Sequence, residues 1–161
     1  MEEKSELCLD AQYVQLHVPA RDWREAIRAA CRPLIREGCV TSGYPEDVIE
    51  RESQWPTGLP TVPIAVAIPH ALRPDNVVRA QISACLLEQP VPFFQSGGTK
   101  TDAPVDVQLV FILALKDAKE QLALLQKLMV AISDEEMLAS LLHAGTPEEF
   151  SNRFNGSAAH R

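Results

Sequence analysis

His70 ends the apolar run Ala65-Val66-Ala67-Ile68-Pro69, a single imidazole set directly after a strand pattern and a proline. Pro69 has no N–H and marks the strand's end, so His70 is expected at the rim of a sheet, within reach of a docking partner. An imidazole there suits proton transfer, metal ligation or covalent catalysis. A histidine that only hydrogen-bonds at a strand end fits the same residues, and the spacing alone names no reaction. Two polar groups precede it: Arg51-Glu52 at the end of a helix pattern, and Thr57 within Trp55-Pro56-Thr57-Gly58-Leu59-Pro60, which reads as an ordered loop. Taken singly, the charges are a solvated helix end and Thr57 shapes a turn. Their interest lies in being close enough in sequence to fold beside His70.

The other candidates carry less chemistry. His17 alternates out of phase with Val14, Leu16 and Val18, which puts it on a second face or the surface. His143 lies near a helix C-terminus, where a cation complements the dipole, and His160 belongs to the tail. No pair has H-x-x-x-H spacing, so no zinc site is expected. Cys8, Cys31, Cys39 and Cys85 form no C-x-x-C pair and are read as reduced thiols, mainly buried as small hydrophobes. Gly97-Gly98-Thr99-Lys100-Thr101 superficially looks like a phosphate loop but lacks the G-x-x-x-x-G-K-[ST] spacing, and no helix pattern follows, so it is read as a flexible turn. There is no G-x-G-x-x-G or G-x-S-x-G, hence no sequence case for a nucleotide enzyme or serine hydrolase. No cofactor is called for.

The elements that must position these residues read clearly in places. With 161 residues, 46% hydrophobic and 23% charged, the chain fits one ordinary domain. Val14 to Val18 is a strand, and a helix opens at Asp22 with Glu25 three residues on, apolar along Trp23, Ile27, Ala30, Cys31 and Leu34, and stopped by Gly38. A short helix follows, with Pro45 in its first turn and Val48 and Ile49 facing inward. Strands are expected over Val62–Ile68, about Ala80–Leu87 (ended by Pro90 and Pro92), and Val105–Leu115, whose unbroken apolar character marks a strand covered on both faces. Residues 95–104 read as a polar loop. Helices follow over Lys119 to about Ile132 (Leu122, Leu125, Met129 and Ile132 at helical spacing), from Ser133 with Glu136 as a capping box, and from Thr146-Pro147-Glu148-Glu149. A loose arm is expected over residues 1–10, one domain over 11–154 and a disordered tail over 155–161. Strands with helices before and after imply an α/β fold, a sheet sandwiched between helical layers.

Charge narrows the partners. A net charge of −7 with no basic run argues against nucleic acid, which demands a clustered positive surface, and suits a basic protein partner. No apolar run approaches the roughly 18 residues that span a bilayer. Met1-Glu2-Glu3-Lys4-Ser5-Glu6 does not read as a signal peptide, and a cytoplasmic location is expected.

Together, Arg51-Glu52, Pro56-Thr57-Gly58 and Ala67-Ile68-Pro69-His70-Ala71 resemble the mannitol/fructose-type enzyme IIA (EIIA type 2) of the bacterial phosphoenolpyruvate-dependent sugar phosphotransferase system (PTS). The resemblance runs over roughly residues 10 to 150. It implies a three-layer α/β/α sandwich with a mixed central sheet. It also implies a phosphoryl carrier in which His70 accepts phosphate from phospho-HPr and passes it to the cysteine of a IIB component, with IIC in the membrane. Arg51 would steady the site electrostatically, Thr57 would bind an imidazole nitrogen or a phosphate oxygen, and Gln121 would donate to the phosphate. Mannitol and fructose types carry a His-Leu pair where this chain has Gln121-Leu122. The galactitol-type branch is similar in placing glutamine there, which makes it the nearest match. Domains of this kind also act as regulators, in which the histidine's phosphorylation state controls a protein partner.

Overall fold

The apolar run after residue 104 becomes the middle of a five-stranded sheet. The computed structural model describes residues 8–98 and 102–159, the side chains at 118, 121 and 157–159 excepted. Its strands are β1 (Val14–Val18), β2 (Gly58–Leu59), β3 (Ala65–Ala67), β4 (Gln81–Phe93) and β5 (Val105–Ala114), in the order β1-β4-β5-β3-β2. The β1–β4 and β3–β5 pairs are parallel, while β4–β5 and β2–β3 are antiparallel. The sheet is therefore mixed, with β5 at its centre.

Adjacent positions on β5 show that both faces are covered. Ser83, paired with Ile112 across the sheet, donates to the Ala30 carbonyl of α1 (Trp23–Arg36) at 2.8 Å. The next residue, Phe111, meets Phe154 of α5 (Pro147–Ala159) with ring centroids 5.5 Å apart. Since successive strand side chains alternate faces, α1 and α5 lie on opposite sides. This is the expected three-layer α/β/α arrangement, and it buries β5 from Leu109 to Ala114 almost completely. α2 (Tyr44–Gln54), α3 (Ala118–Ile132) and α4 (Glu135–Leu142) complete the layers.

Several expected boundaries shift for identifiable reasons. β4 does not stop at Leu87; it continues through Pro90 and Pro92 to Phe93. Beyond Leu87, β1 no longer pairs with it, so one side of β4 is an edge, and an edge accommodates a residue without an N–H. β3 is shorter than Val62–Ile68, and the loop before it contributes β2. Helix α4 is capped by Asp134, whose Oδ1 accepts from Glu136 N and Met137 N, while Ser133 ends α3 by donating to the Met129 carbonyl. In α3 the core face is Leu124, Leu128, Ala131 and Ile132; of the residues noted at helical spacing, Leu122 and Met129 are exposed.

Both ends of the chain also depart from expectation. Helix α5 runs to Ala159, through much of the stretch expected to be disordered. Its Asn155 accepts from Leu9 N at 3.1 Å and donates to Leu9 O at 2.9 Å. Leu9 is fully buried, so the end of the expected arm belongs to the core; residues 1–7 and 160–161 lie outside the described residues.

Candidate active site

The site is built at the C-terminal end of β3. Pro69 O accepts from Leu113 N at 3.2 Å, which keeps the chain against β5 two residues past the ladder. Ile68 N, beyond the strand, is satisfied instead by Thr57 Oγ1 at 3.1 Å. His70 then turns back, and its Nδ1 meets the Ile68 carbonyl at 3.0 Å. A carbonyl only accepts, so Nδ1 carries the hydrogen and Nε2 keeps its lone pair. Burial, and secondarily the Arg51 charge, hold the ring below the ordinary histidine range. His70 is thus biased toward the neutral ring with a free lone pair on Nε2, and it lies 7% exposed in a cavity of about 540 Å³.

Helix α2 and the loop after it supply the walls. Arg51 lines the cavity with Thr57, Trp55 and Leu125. Its Nη1 donates to Trp55 O at 3.3 Å, and its guanidinium lies over the Trp55 ring, 5.9 Å from the centroid. Thr57, half of whose expected role was a direct bond to the imidazole, reaches the ring by way of Ile68. Its hydroxyl is spent on Ile68 N and on Glu52, to whose Oε1 it donates at 2.9 Å. Gln121 lies in the first turn of α3, one turn before Leu125, which lines the cavity; its side chain is outside the described residues.

Two parts of the site escape the sequence reading. Glu52, read as a solvated helix end, is 2% exposed and holds Thr57 with both oxygens, Oε2 accepting from Thr57 N at 2.8 Å. Burial pushes its carboxyl up to about 7, against the lowering effects of the Thr57 hydrogen bonds and Arg51. The signal was present: Glu52 falls one helical turn after Val48 and three residues after Ile49, both buried, so it shares their inward face. The other part is the wall formed by Ser96, Gly97 and Gly98, read as a flexible turn; Thr99, Lys100 and Thr101 lie outside the described residues. Gly58 docks this wall. Its N donates to Phe94 O at 3.1 Å and its O accepts from Ser96 N at 2.8 Å. A Cβ at Gly58 would sit 2.7 Å from Phe94 O, an approach that only glycine permits.

The other two histidines among the described residues stay away from this chemistry; His160 lies outside them. His17 is exposed on β1 with φ 56°, and His143 caps α4, its Nδ1 2.8 Å from Ala139 O. A second cavity, of about 120 Å³, adjoins the first, shares Arg51, Gln54 and Trp55 with it, and is otherwise lined by Asp47, Glu50, Leu72, Arg73 and Asp75. Trp55 and Leu72 are 51% and 67% exposed, so apolar surface and charges sit together beside the His70 opening. Among the described residues, no helix is long and apolar enough to cross a membrane.

The chain is similar to known proteins in sequence and in fold. The galactitol-specific EIIA component of the PTS from Escherichia coli (strain K12) is 26% identical over 130 residues, 81% of this chain and 84% of that protein. The mannitol-specific phosphotransferase enzyme IIA component of Halalkalibacterium halodurans is 27% identical over 147 residues, 90% and 92% of the two chains. The crystal structure of the nitrogen regulatory protein IIA-Ntr from Neisseria meningitidis superposes with a TM-score of 0.72 at 25% identity, covering 91% of this chain and 95% of that one. The family described as phosphoenolpyruvate-dependent sugar phosphotransferase system, EIIA 2, matches residues 7–156. With a neutral histidine set in a cavity at the end of β3, the chain belongs to that family of phosphoryl-carrying phosphotransferase components.

Proposed function

We propose that His70 Nε2 is the phosphoryl acceptor, loaded by the phosphohistidine of HPr and unloaded onto the cysteine of a IIB component. The observation that carries this reading is the 3.0 Å contact between Nδ1 and the Ile68 carbonyl, because it leaves Nε2 as the free lone pair in the cavity. In the first step the Nε2 lone pair attacks phosphorus in line, a new N–P bond forms, and the donor's N–P bond breaks, returning its electron pair to the donor imidazole. The phosphorylated ring is cationic, and its Nδ1–H remains on the Ile68 carbonyl. In the second step a thiolate takes the phosphoryl group and His70 leaves as the neutral ring it was before. Proton, charge and phosphoryl group balance without a nucleotide.

Catalysis in such a site rests on placement and charge. Arg51, already partly desolvated and electrostatically coupled to His70, offers its guanidinium to the phosphoryl oxygens. By the family resemblance, Gln121 of α3 is assigned as a further hydrogen-bond donor. Glutamine there, with the similarity to the galactitol-specific component, supports a galactitol-like system. Exposed Trp55 and Leu72 and the acidic side chains Asp47, Glu50 and Asp75 give the opening an apolar patch with a charged rim. That combination suits a basic partner and a brief encounter.

The experiment is phosphoryl transfer from phosphoenolpyruvate, enzyme I and HPr, followed to a IIB component. Phosphate on His70 that moves to the IIB cysteine supports the carrier. The similarity to IIA-Ntr favours a second reading, a regulator whose phosphorylation state controls a protein partner; phosphate that stays on His70 in the presence of IIB selects it.

A further inference from the structure

We propose that Glu52 is a positioning residue for the transfer, its ionised carboxylate fixing, through Thr57 and Ile68, the ring form of His70 that leaves Nε2 free. The role in transfer rests on the carrier reading above; the effect on the ring does not.

The hydrogen bonds from Glu52 to His70 have fixed directions. An ionised carboxylate only accepts, and Glu52 gives both of its oxygens to one residue, Oε2 to Thr57 N at 2.8 Å and Oε1 to Thr57 Oγ1 at 2.9 Å. The Thr57 hydroxyl therefore spends its hydrogen on Glu52 and turns a lone pair toward Ile68 N, 3.1 Å away. The same residue, Ile68, presents its carbonyl to His70 Nδ1 at 3.0 Å. Ile68 lies past the last residue of β3, where no ladder bond holds its N–H, so Thr57 sets its place. One acceptor-only group at the start thus orders a line that ends at the reacting ring.

The chemistry of the residue supports a role beyond filling space. A carboxylate 2% exposed is costly to ionise, and a neutral or apolar side chain would serve packing better. Glutamine in its place has nearly the same size but a single acceptor oxygen. Set where Oε2 lies, 2.8 Å from Thr57 N and 3.2 Å from Thr57 Oγ1, that oxygen keeps the N–H bond and only the longer of the two hydroxyl contacts. Its NH2 group, in the place of Oε1 2.9 Å from the hydroxyl, would donate to that hydroxyl and compete with Ile68 N–H for its lone pairs. The charged groups facing Glu52 are Arg51 on its own helix and, through Arg51, the His70 site; the neutral Thr57 comes from the following loop.

The test compares wild type, E52Q, T57V and E52Q/T57V at pH 8, where the Glu52 carboxyl is ionised, in the rate of phosphoryl uptake from phospho-HPr, with 15N-imidazole NMR of His70 in each. E52D, which keeps the charge but withdraws it by one methylene, stands in if E52Q does not fold. The expected result is slowing of roughly tenfold to a hundredfold in each single variant, the range for a misplaced reacting group. The double variant should be no slower than the slower single one. The His70 signals should change from the Nδ1–H form alone to a mixture with the Nε2–H form. Wild-type rates in E52Q, single effects that multiply in the double variant, or an unchanged ring form in both single variants overturn the proposal. If wild type takes up no phosphate, the carrier reading falls, while the ring-form comparison still decides whether Glu52 orients His70.

Discussion

Replacing Glu52 by glutamine should stabilise the protein at alkaline pH and do so progressively less as the pH falls. Burial raises the carboxyl from 4.5 to about 7 in the folded chain. Below about pH 4.5 both folded and unfolded chains hold the proton, and Glu52 contributes nothing to the pH dependence. Between 4.5 and 7 the folded chain keeps a proton that the unfolded chain has lost, so stability falls as pH rises. Above 7 the full cost is present, about 3 kcal/mol at roughly 1.4 kcal/mol per pH unit. Glutamine carries no such proton. It loses one Thr57 hydrogen bond at a pH-independent cost of about 1 kcal/mol, so the net gain at pH 8 should be about 2 kcal/mol, vanishing and reversing near pH 5. Urea denaturation of both proteins at half-unit steps from pH 5 to 8.5, followed by tryptophan fluorescence, reads the difference; His70 is common to both and cancels to first order. A difference that stays constant within about 0.5 kcal/mol over this range would refute the buried, proton-holding carboxyl. A variant that is more stable and yet transfers phosphate more slowly is the pattern of a residue kept for function.

Three further outcomes follow from the geometry. Gly58→Ala should cost about 1–3 kcal/mol, the usual range for overpacking, because its Cβ would lie 2.7 Å from the Phe94 carbonyl; it should also slow phosphoryl uptake by shifting the Ser96–Gly98 wall, and thermal melts beside transfer rates check both. Asn155→Ala should cost about 1–3 kcal/mol by leaving both Leu9 backbone groups unpaired, and hydrogen exchange at Leu9 N should rise with it. Burial, and secondarily Arg51, should make His70 titrate below the ordinary 6.5, so NMR should find its ring neutral at pH 7; Arg51→Ala, which removes the smaller of these two causes, should move that midpoint upward.

Much of this site was legible because its residues obey local rules. Pro69 stops a strand and leaves His70 at its end, and Asp22 caps α1 by accepting from Glu25 N at 2.9 Å. The apolar run beginning at Val105 had to be a strand buried on both faces. What escaped depends on contacts distant in sequence or on competition between neighbours. Asn155 looks like the start of a polar tail, and only its pairing with Leu9, 146 residues away, makes it structural. Pro90 and Pro92 read as an end because the sequence does not tell where β1 stops covering β4. Ser133 and Asp134 are both cap residues, and the carboxylate, accepting from two N–H groups, takes the position. Leu122 and Met129 share a helical stripe with Leu125, but that stripe turns toward the His70 opening and the surface instead of the core. The site residues divide the same way. Arg51, Thr57 and His70 are brought together around one cavity, whereas Glu52 was hidden by its charge, since a carboxylate is expected in water until its helical phase is weighed.

The central claim is carrier chemistry on His70, and intact-mass analysis after incubation with phosphoenolpyruvate, enzyme I and HPr, with His70→Ala alongside, tests it most directly. The account predicts a single acid-labile phosphoryl group on the wild type and none on a folded His70→Ala protein. Stoichiometric phosphate on His70→Ala, or no phosphate on the wild type while HPr itself is phosphorylated, would contradict it.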